Sequence, residues 1–317
     1  MKNKIAVLTS IAILVLGSGT WLYADYRFRS EIDGRLQAAV DSGSYEALSY
    51  EDLTFSFNGD VSLTNLLVQQ PGAEYLLEKI HVSNLDYSHD IPRKMDVNIK
   101  GIRFPKGLPD LGSTENASLG LLLERIAEND AIPLEISYSH RYDPDNAWQL
   151  DSVVNIVIPS LMQLDVSSTM RNLPLESLPD YGDTGTDPAE LQAQLMPLLN
   201  QTELPSFQFQ LQDQGLVQAM IELGASDVDT PPEDYRKMLA SQTRNAHLFL
   251  PQNAQELMMN AGLELAKFLE GGRTLTIKLQ PEFNGSISKL QPQIMGAVLT
   301  GDINRVAQLL NLELTTQ

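Results

Sequence analysis

The sequence contains no cysteine. That absence excludes disulfides, thiolate-bound zinc or iron–sulfur clusters, a thiol nucleophile, and the lipidated cysteine of a bacterial lipoprotein. Basic residues are scarce as well: 22 Lys and Arg stand against 41 Asp and Glu, a formal net charge of -19. A polyanion of this kind is repelled by phosphate backbones, so no nucleic-acid partner is expected. Histidine is rarer still, and His81, His89, His140 and His247 form no closely spaced pair, so no metal site and no cofactor are expected from local motifs. What remains is ample for a globular protein, with 43% hydrophobic residues over 317 positions.

The longest apolar run is Ile5–Tyr23, preceded by Lys2 and Lys4 and followed by Asp25, Arg27 and Arg29. As a helix it reaches about 28 Å, close to the hydrocarbon thickness of a bilayer. Two readings compete. One is a retained single-pass anchor with Trp21 and Tyr23 at the interface; the other is a cleaved signal peptide with core Ile5–Leu16 and a small-residue site at Gly17-Ser18-Gly19. The retained anchor is favoured, because a polar helix over Arg27–Val40 continues the segment. The expectation is a bacterial inner-membrane protein with its body in the periplasm.

Beyond the anchor the expected fold class is α+β: antiparallel sheet with packed amphipathic helices. Leu53, Phe55 and Phe57 alternate with polar residues, Asn58-Gly59 marks a hairpin, and Val61 and Leu63 resume the alternation. Strands are expected over Lys79–Ser88 and Lys94–Phe104, with a β-bulge at Gly101, where the apolar phase slips by one. Helical spacing marks Thr114–Glu128; further strands fall near Leu134–Tyr142, Trp148–Ile158 and Met162–Met170. Asn172–Tyr235 holds no Lys or Arg and twelve acids. Helix starts are expected at Asp187-Pro188-Ala189-Glu190 and Thr230-Pro231-Pro232-Glu233, with a strand at Phe207–Leu211 between them. A long helix opens near Asn253 and closes at Gly271-Gly272. Strands Thr274–Leu279 and Gly285–Leu290, then a helix carrying Ile303, Val306 and Leu310, complete the chain. The Pro- and Gly-rich loop around Leu173–Thr186 divides the sequence into an anchor (1–24), a strand-rich half (25–175) and an acidic, helix-rich half (176–317).

An anchor running into a polar helix, then "LTFSFNGDVSLTNLLV", resembles the opening of the AsmA-like and YdgA-like bacterial envelope families. The stretch from Asp213-Gln214-Gly215-Leu216 to "LTIKLQPEFNGSISKL" is similar to the YdgA-like pattern. The resemblance implies a cytoplasmic-membrane anchor, a periplasmic β-rich body and an envelope role. It supplies no catalytic motif.

No catalytic residue is expected. Ser286-Ile287-Ser288-Lys289 has Ser-x-x-Lys spacing, but read as a strand it puts Ser and Lys on opposite faces. Asp143-Pro144-Asp145-Asn146 has the look of a calcium turn, yet reads as a hairpin loop. Asp227, Asp229, Glu233 and Asp234 read as a solvated helix start, and His140 as a cross-strand partner. Two binding surfaces are the candidates. Phe55, Val61, Val97 and Ile99 would line an apolar groove for lipid or a partner, unless they are plain core. Arg93, Lys94, Lys100, Arg103 and Lys106 would meet lipid headgroups or an acidic partner, unless they guard an exposed strand edge. The expected function is a non-enzymatic, membrane-anchored binding or scaffold protein, with phospholipid or an envelope protein as partner. The alternatives are an assembly protein acting through its acidic half and, more remotely, an envelope hydrolase.

Overall fold

A computed structural model describes residues 28–43, 45–55, 60–70, 73–86, 88–89, 92–104, 131–173, 175, 197, 200–249, 252–281 and 286–317. The anchor segment Ile5–Tyr23, the helices expected at Thr114–Glu128 and from Asp187, the Asn58-Gly59 turn, Phe57 and Lys106 lie outside these residues. Among the described residues, no helix is long and apolar enough to cross a membrane. The α+β expectation holds: antiparallel strands dominate, with several helices. They fall into two compact units that interleave along the chain, one taking Met1–Pro109, Ala127–Trp148 and Pro174–Leu198, the other Asp110–Ile126, Gln149–Leu173 and Leu199–Gln317.

The first unit holds helix α1 (Phe28–Asp41) and strands β1 (Ala47–Ser49), β2 (Asp52–Phe55), β3 (Val61–Gln70), β4 (Ala73–Ser83), β5 (Lys94–Arg103) and β6 (Ala131–Asp143). They pair antiparallel in the order β1-β3-β4-β5-β6, and β2 follows β1 along the same edge of β3. Strand β4 starts at Ala73, six residues ahead of the expected Lys79, because Tyr75 and Leu77 also face the core.

The expected irregularity at Gly101 belongs to a row that crosses the whole sheet. Gly101 has φ +65, and the β5–β6 register shifts between Lys100 and Ile102, opposite Pro133-Leu134. Its partner across β4 is Glu78, and beyond that lies Asn65 in β3, at φ 50; β1 and β2 part at Tyr50-Glu51, opposite the same place. Across this row the apolar spacing changes from two to three, as in Leu63/Leu66, Leu77/Ile80 and Ile99/Ile102. A regular strand would turn everything past the row to the other face; the left-handed residues reset the pleat and keep one face apolar throughout.

The second unit contains β7 (Gln149–Ile158), β8 (Met162–Arg171), β9 (Glu203–Asp213), α2 (Leu216–Asp227), α3 (Pro232–Asn245), a 3-10 turn (Ala246–Phe249), α4 (Gln252–Leu269), β10 (Thr274–Leu279), α5 (Ile287–Leu299), α6 (Ile303–Leu310) and β11 (Leu312–Thr316). Its sheet is antiparallel in the order β7-β8-β9-β10-β11. Helices α2 to α4 intervene between the neighbours β9 and β10, and α5 with α6 between β10 and β11. The core where helices meet sheet is Val217, Ile221, Phe268 and Leu275, with Leu211, Tyr235, Leu239, Leu269 and Leu314 packed on it.

Three elements here differ from expectation. Helix α2 was not marked by its sequence start, since Gly215 stands at its N-cap. The capping oxygen comes from Asp213 two residues earlier, whose Oδ1 accepts from the amides of Gly215 (3.2 Å) and Val217 (3.0 Å). The strand expected at Gly285–Leu290 is instead the start of α5, with Ser286 at its N-cap; alternation over so few residues was overridden by the longer apolar pattern that continues through Leu299. And the chain does not finish on α6. Asn311 in the left-handed conformation stops that helix, after Asp302 has capped it by accepting from the Arg305 amide at 3.0 Å, and β11 then pairs with β10.

Candidate functional site

In the first unit, Val61, Val97 and Ile99 share the apolar face and are 2%, 1% and 1% exposed, part of a core with Val68, Tyr75, Leu77 and Val82. Phe55 pairs with Val61 through its backbone, and its side chain lies outside the described residues. The opposite face of β5 is polar and carries the basic cluster, in which Lys100 and Arg103 are matched by carboxylates. Lys100 Nζ is 3.1 Å from Glu135 Oε1, and Arg103 pairs with Glu78. The hydrogen bond from Asn98, then that from Lys100, holds the Glu135 carboxyl below the usual range. Lys94 lies directly across from Arg141, a like-charge pair, while the Arg93 amide donates to Asp86.

A serine, a histidine and a carboxylate do converge in the β4–β5 connection. Ser88 Oγ lies 3.0 Å from His89 Nδ1, and that nitrogen lies 2.7 Å from Asp86 Oδ2. The arrangement is unsuited to nucleophilic catalysis, which places acid and nucleophile on different ring nitrogens. Here both meet Nδ1, and Ser88 Oγ donates to Asp86 Oδ1 at 2.5 Å. Partial burial pushes the Asp86 carboxyl up, but bonds from Ser88, His89 and the Arg93 amide outweigh it and hold the group well below the carboxylate range. It is a turn built around a carboxylate.

His140 stands on the apolar face of β6, opposite Met95, with its ring 5.7 Å from that of Tyr138. Its Nε2 donates to the Pro92 carbonyl at 2.9 Å, and burial lowers its pKa against the opposing effects of that carbonyl and of Asp96. Burial also pushes the Tyr138 phenol up to about 12. His81 meets Ser62 Oγ at 2.8 Å on the polar face, and His247 Nδ1 donates to the Arg244 carbonyl at 3.0 Å.

The remaining motifs are occupied structurally. In the 143–146 turn, Asp143 Oδ1 accepts from the Asp145 amide at 3.1 Å. Glu233 and Asp234 sit in the first turn of α3, with Lys237 at 4.0 and 3.9 Å. Ser286 and Lys289 do start a helix, contrary to the strand reading, yet Ser286 Oγ is 2.8 Å from Ser288 Oγ, which donates to the Asn200 carbonyl at 2.7 Å. Among the described residues, no group of three or more His, Asp or Glu is placed to hold a metal.

The second unit's sheet has the surface that sequence reasoning missed. Registers place Val154, Ile156, Val166, Leu164, Phe209, Phe207, Ile277 and Leu279 on one face, and the opposite face carries Asp151, Asn155, Asp165, Thr169, Gln208 and Gln210. The polar side is knit by Asn155 to Asp165 at 2.5 Å and Thr169 to Asp151 at 2.7 Å. The apolar side is only half-buried along β7, β8 and β9, in contrast to the buried Val61, Val82, Val97 and Ile99 on β3 to β5 of the first unit, whose β6 is itself half-buried at Ile136, Tyr138 and His140. Ser152 and Ser168 set a polar step on it, their hydroxyls 2.7 Å apart.

Residues 155–317, most of this second unit, match a protein-family model described as "Uncharacterized protein". The chain belongs to that family. The matched segment takes in β8 to β11 and all five helices α2 to α6, so the half-buried apolar face falls largely within what the family shares. No curated protein matches the chain.

Proposed function

We propose that the protein is a non-enzymatic binding protein of the bacterial envelope, of AsmA-like or YdgA-like type. Residues Ile5–Tyr23 hold it in the inner membrane, its body lies in the periplasm, and the apolar face of the second unit's strands holds a lipid acyl chain. The observation that carries the reading is the half-buried state of Val154, Ile156, Leu164, Val166, Phe207 and Phe209. A sheet face serving only as core is sealed, as Val61, Val97 and Ile99 are. Large aromatic and branched side chains left part-exposed on one face gain free energy when an apolar ligand covers them, at roughly 25 cal/mol per Å2.

The test is native mass spectrometry and lipid extraction of the full chain, exchanged into a detergent that is absent from the producing cells. Co-purifying phospholipid or fatty acid, lost in Phe209→Asp while the far-ultraviolet spectrum is kept, is the expected result. A preparation free of lipid, together with full burial of these residues against protein in an experimental structure, would sink the proposal. Capture of an envelope protein in place of lipid would return the acidic-half assembly reading.

A further inference from the structure

The apolar face of β7 to β9 carries two hydroxyls at positions that its alternation would make apolar. Ser152 and Ser168 stand opposite each other on neighbouring strands, in a row that continues to Phe207 on β9 and Leu279 on β10. Leu150 and Met170 precede this row, and Val154 with Val166, then Ile156 with Leu164, follow it, all of them half-buried. The two hydroxyls lie 2.7 Å apart, so one donates to the other. Each serine hydroxyl has one proton and two acceptor sites, and that bond uses one proton of the two. The other proton has no hydrogen-bond partner among the described residues. A donor on such a surface is covered without loss only by a group that accepts from it.

Charge narrows the acceptor. From the serine row to the row of Ile158, Met162 and Asp213, Asp213 is the one ionisable group among the described residues of this face, and its Oδ1 accepts from the amides of Gly215 and Val217. A fatty-acid carboxylate laid on the serines would lose its water without gaining a cation, on a protein of net charge -19. An ester carbonyl is neutral and accepts without donating, which one spare hydroxyl proton satisfies. Length agrees as well. Ser152 to Ile156 is about 13 Å of extended strand, and one leaflet's acyl chain spans about 15 Å, half of the hydrocarbon core of a bilayer. With its carbonyl at the serines, an acyl chain lays its methylenes over Val154, Val166, Ile156 and Leu164.

We infer that this face takes its acyl chain in ester linkage, as in a phospholipid, with the Ser152–Ser168 pair donating to the ester carbonyl. The inference rests on the acyl-chain reading proposed above and adds what selects the ligand. A free fatty acid keeps the chain contacts but binds more weakly, because its carboxylate meets no opposite charge. A serine pair across two strands also serves sheet stability on its own, and the ligand's carbonyl is what separates the two roles.

Two probes that differ only in that carbonyl provide the test: dioctanoyl phosphatidylcholine and its dioctyl ether analogue, offered together at equal concentration to the full chain in detergent and counted by native mass spectrometry. The wild-type chain should carry ester over ether by roughly 2- to 10-fold, the weight of one neutral hydrogen bond. Ser152→Ala combined with Ser168→Ala should abolish that preference while the ether binds as before, which also shows the variant to be folded. Phe209→Asp should lose both probes, and ionised decanoate should compete less well than methyl decanoate. Ester and ether bound equally, and both lost in Phe209→Asp, overturns the inference and leaves the acyl-chain reading standing; decanoate competing better than its methyl ester does the same. An ester preference that survives the double alanine variant also overturns it, since the carbonyl is then read elsewhere. A wild-type chain that binds neither probe defeats the acyl-chain reading itself, and the inference with it.

Discussion

The row through Gly101 makes a quantitative claim on stability. With φ at +65, Gly101 sits where an L-residue is strained, and a Cβ there would stand 2.3 Å from Glu78 Oε2. Gly101→Ala costs about 1–2 kcal/mol for the left-handed backbone and recovers about 0.4–1 kcal/mol by restricting the unfolded chain. Pushing Glu78 aside breaks its pair with Arg103; both groups are well exposed, so that loss is only about 0.2–1 kcal/mol. The net destabilisation is about 1–2 kcal/mol, a shift of roughly 0.5–1 M in the urea midpoint of the first unit. The control is Gly296→Ala in α5, where nothing lies within 4 Å of the added carbon and the backbone is helical; there the same change stabilises by about 0.5–1 kcal/mol. Asn65→Val, placing a β-branched residue at φ 50 in the same row, should destabilise like Gly101→Ala, and Asn65→Gly should be tolerated. Equal stability of Gly101→Ala and wild type, or a Gly101→Ala protein more stable than Asn65→Gly, would show that the row does not set the pleat.

Three further outcomes follow from single side chains. The Tyr75 hydroxyl is buried with no partner among the described residues, so Tyr75→Phe should be neutral or stabilising by about 1 kcal/mol in urea unfolding. Glu264 Oε2 accepts from the Thr316 amide at 2.7 Å, and its carboxyl is held below its usual value by Lys267 first, then by Thr316. A depressed carboxyl contributes stability above its unfolded pKa and loses it as pH falls through the folded one. Exchange at the Thr316 amide should therefore quicken relative to neighbouring amides under acid, and Glu264→Ala should abolish that dependence. His140 behaves oppositely to a paired histidine: burial lowers its pKa, so the unfolded chain takes up the proton first. Stability of the first unit should fall as pH drops below about 6.5, by at most about 1.4 kcal/mol per pH unit, and His140→Phe should flatten the slope between pH 7 and 5.

The sheet was legible where alternation was long and the phase was kept. Lys94–Phe104, Met162–Met170 and Thr274–Leu279 are strands close to where the pattern placed them, and the Gly101 slip was visible as two apolar residues moved by one. The same slip at Leu63/Leu66 and Leu77/Ile80 carries the signal for the rest of the row, but without a glycine nothing in the sequence sets it apart from ordinary irregularity. Helix α2 was obscured because its cap is Asp213, the last residue of β9, so one carboxylate serves strand and helix together. For Gly285–Leu290, a six-residue window could not separate period 2 from the first turns of a helix whose Ser286 cap was in plain view. The candidate groove of Val61, Val97 and Ile99 followed from alternation alone, which marks an apolar face without saying whether it is sealed; only the second unit's burial pattern separates the two cases.

That separation bears on how one chain can use the strands of its two units differently. In the first unit the apolar face is buried along β3, β4 and β5, and the polar face pairs Lys100 with Glu135 and Arg103 with Glu78. On those three strands the apolar face is spent on folding. In the second unit the helices α2 to α4 close over Leu211, Leu275 and Leu314, toward the β9–β11 side, while Val154, Ile156, Leu164 and Val166 on β7 and β8 are less than fully covered. Apolar area left open lowers stability by the transfer free energy it forgoes, and a sheet that needed only to fold would be expected to cover it. A Val166→Ser substitution distinguishes the two uses. If the face is core, removing its apolar side chain should cost what a half-buried valine contributes, about 1 kcal/mol, with no change in what co-purifies. If the face is held for a ligand, the ligand-free protein should lose little stability, and the thermal stabilisation conferred by added fatty acid should shrink. A full stability loss with unchanged ligand response would return the second unit's strands to the same structural role as the first unit's.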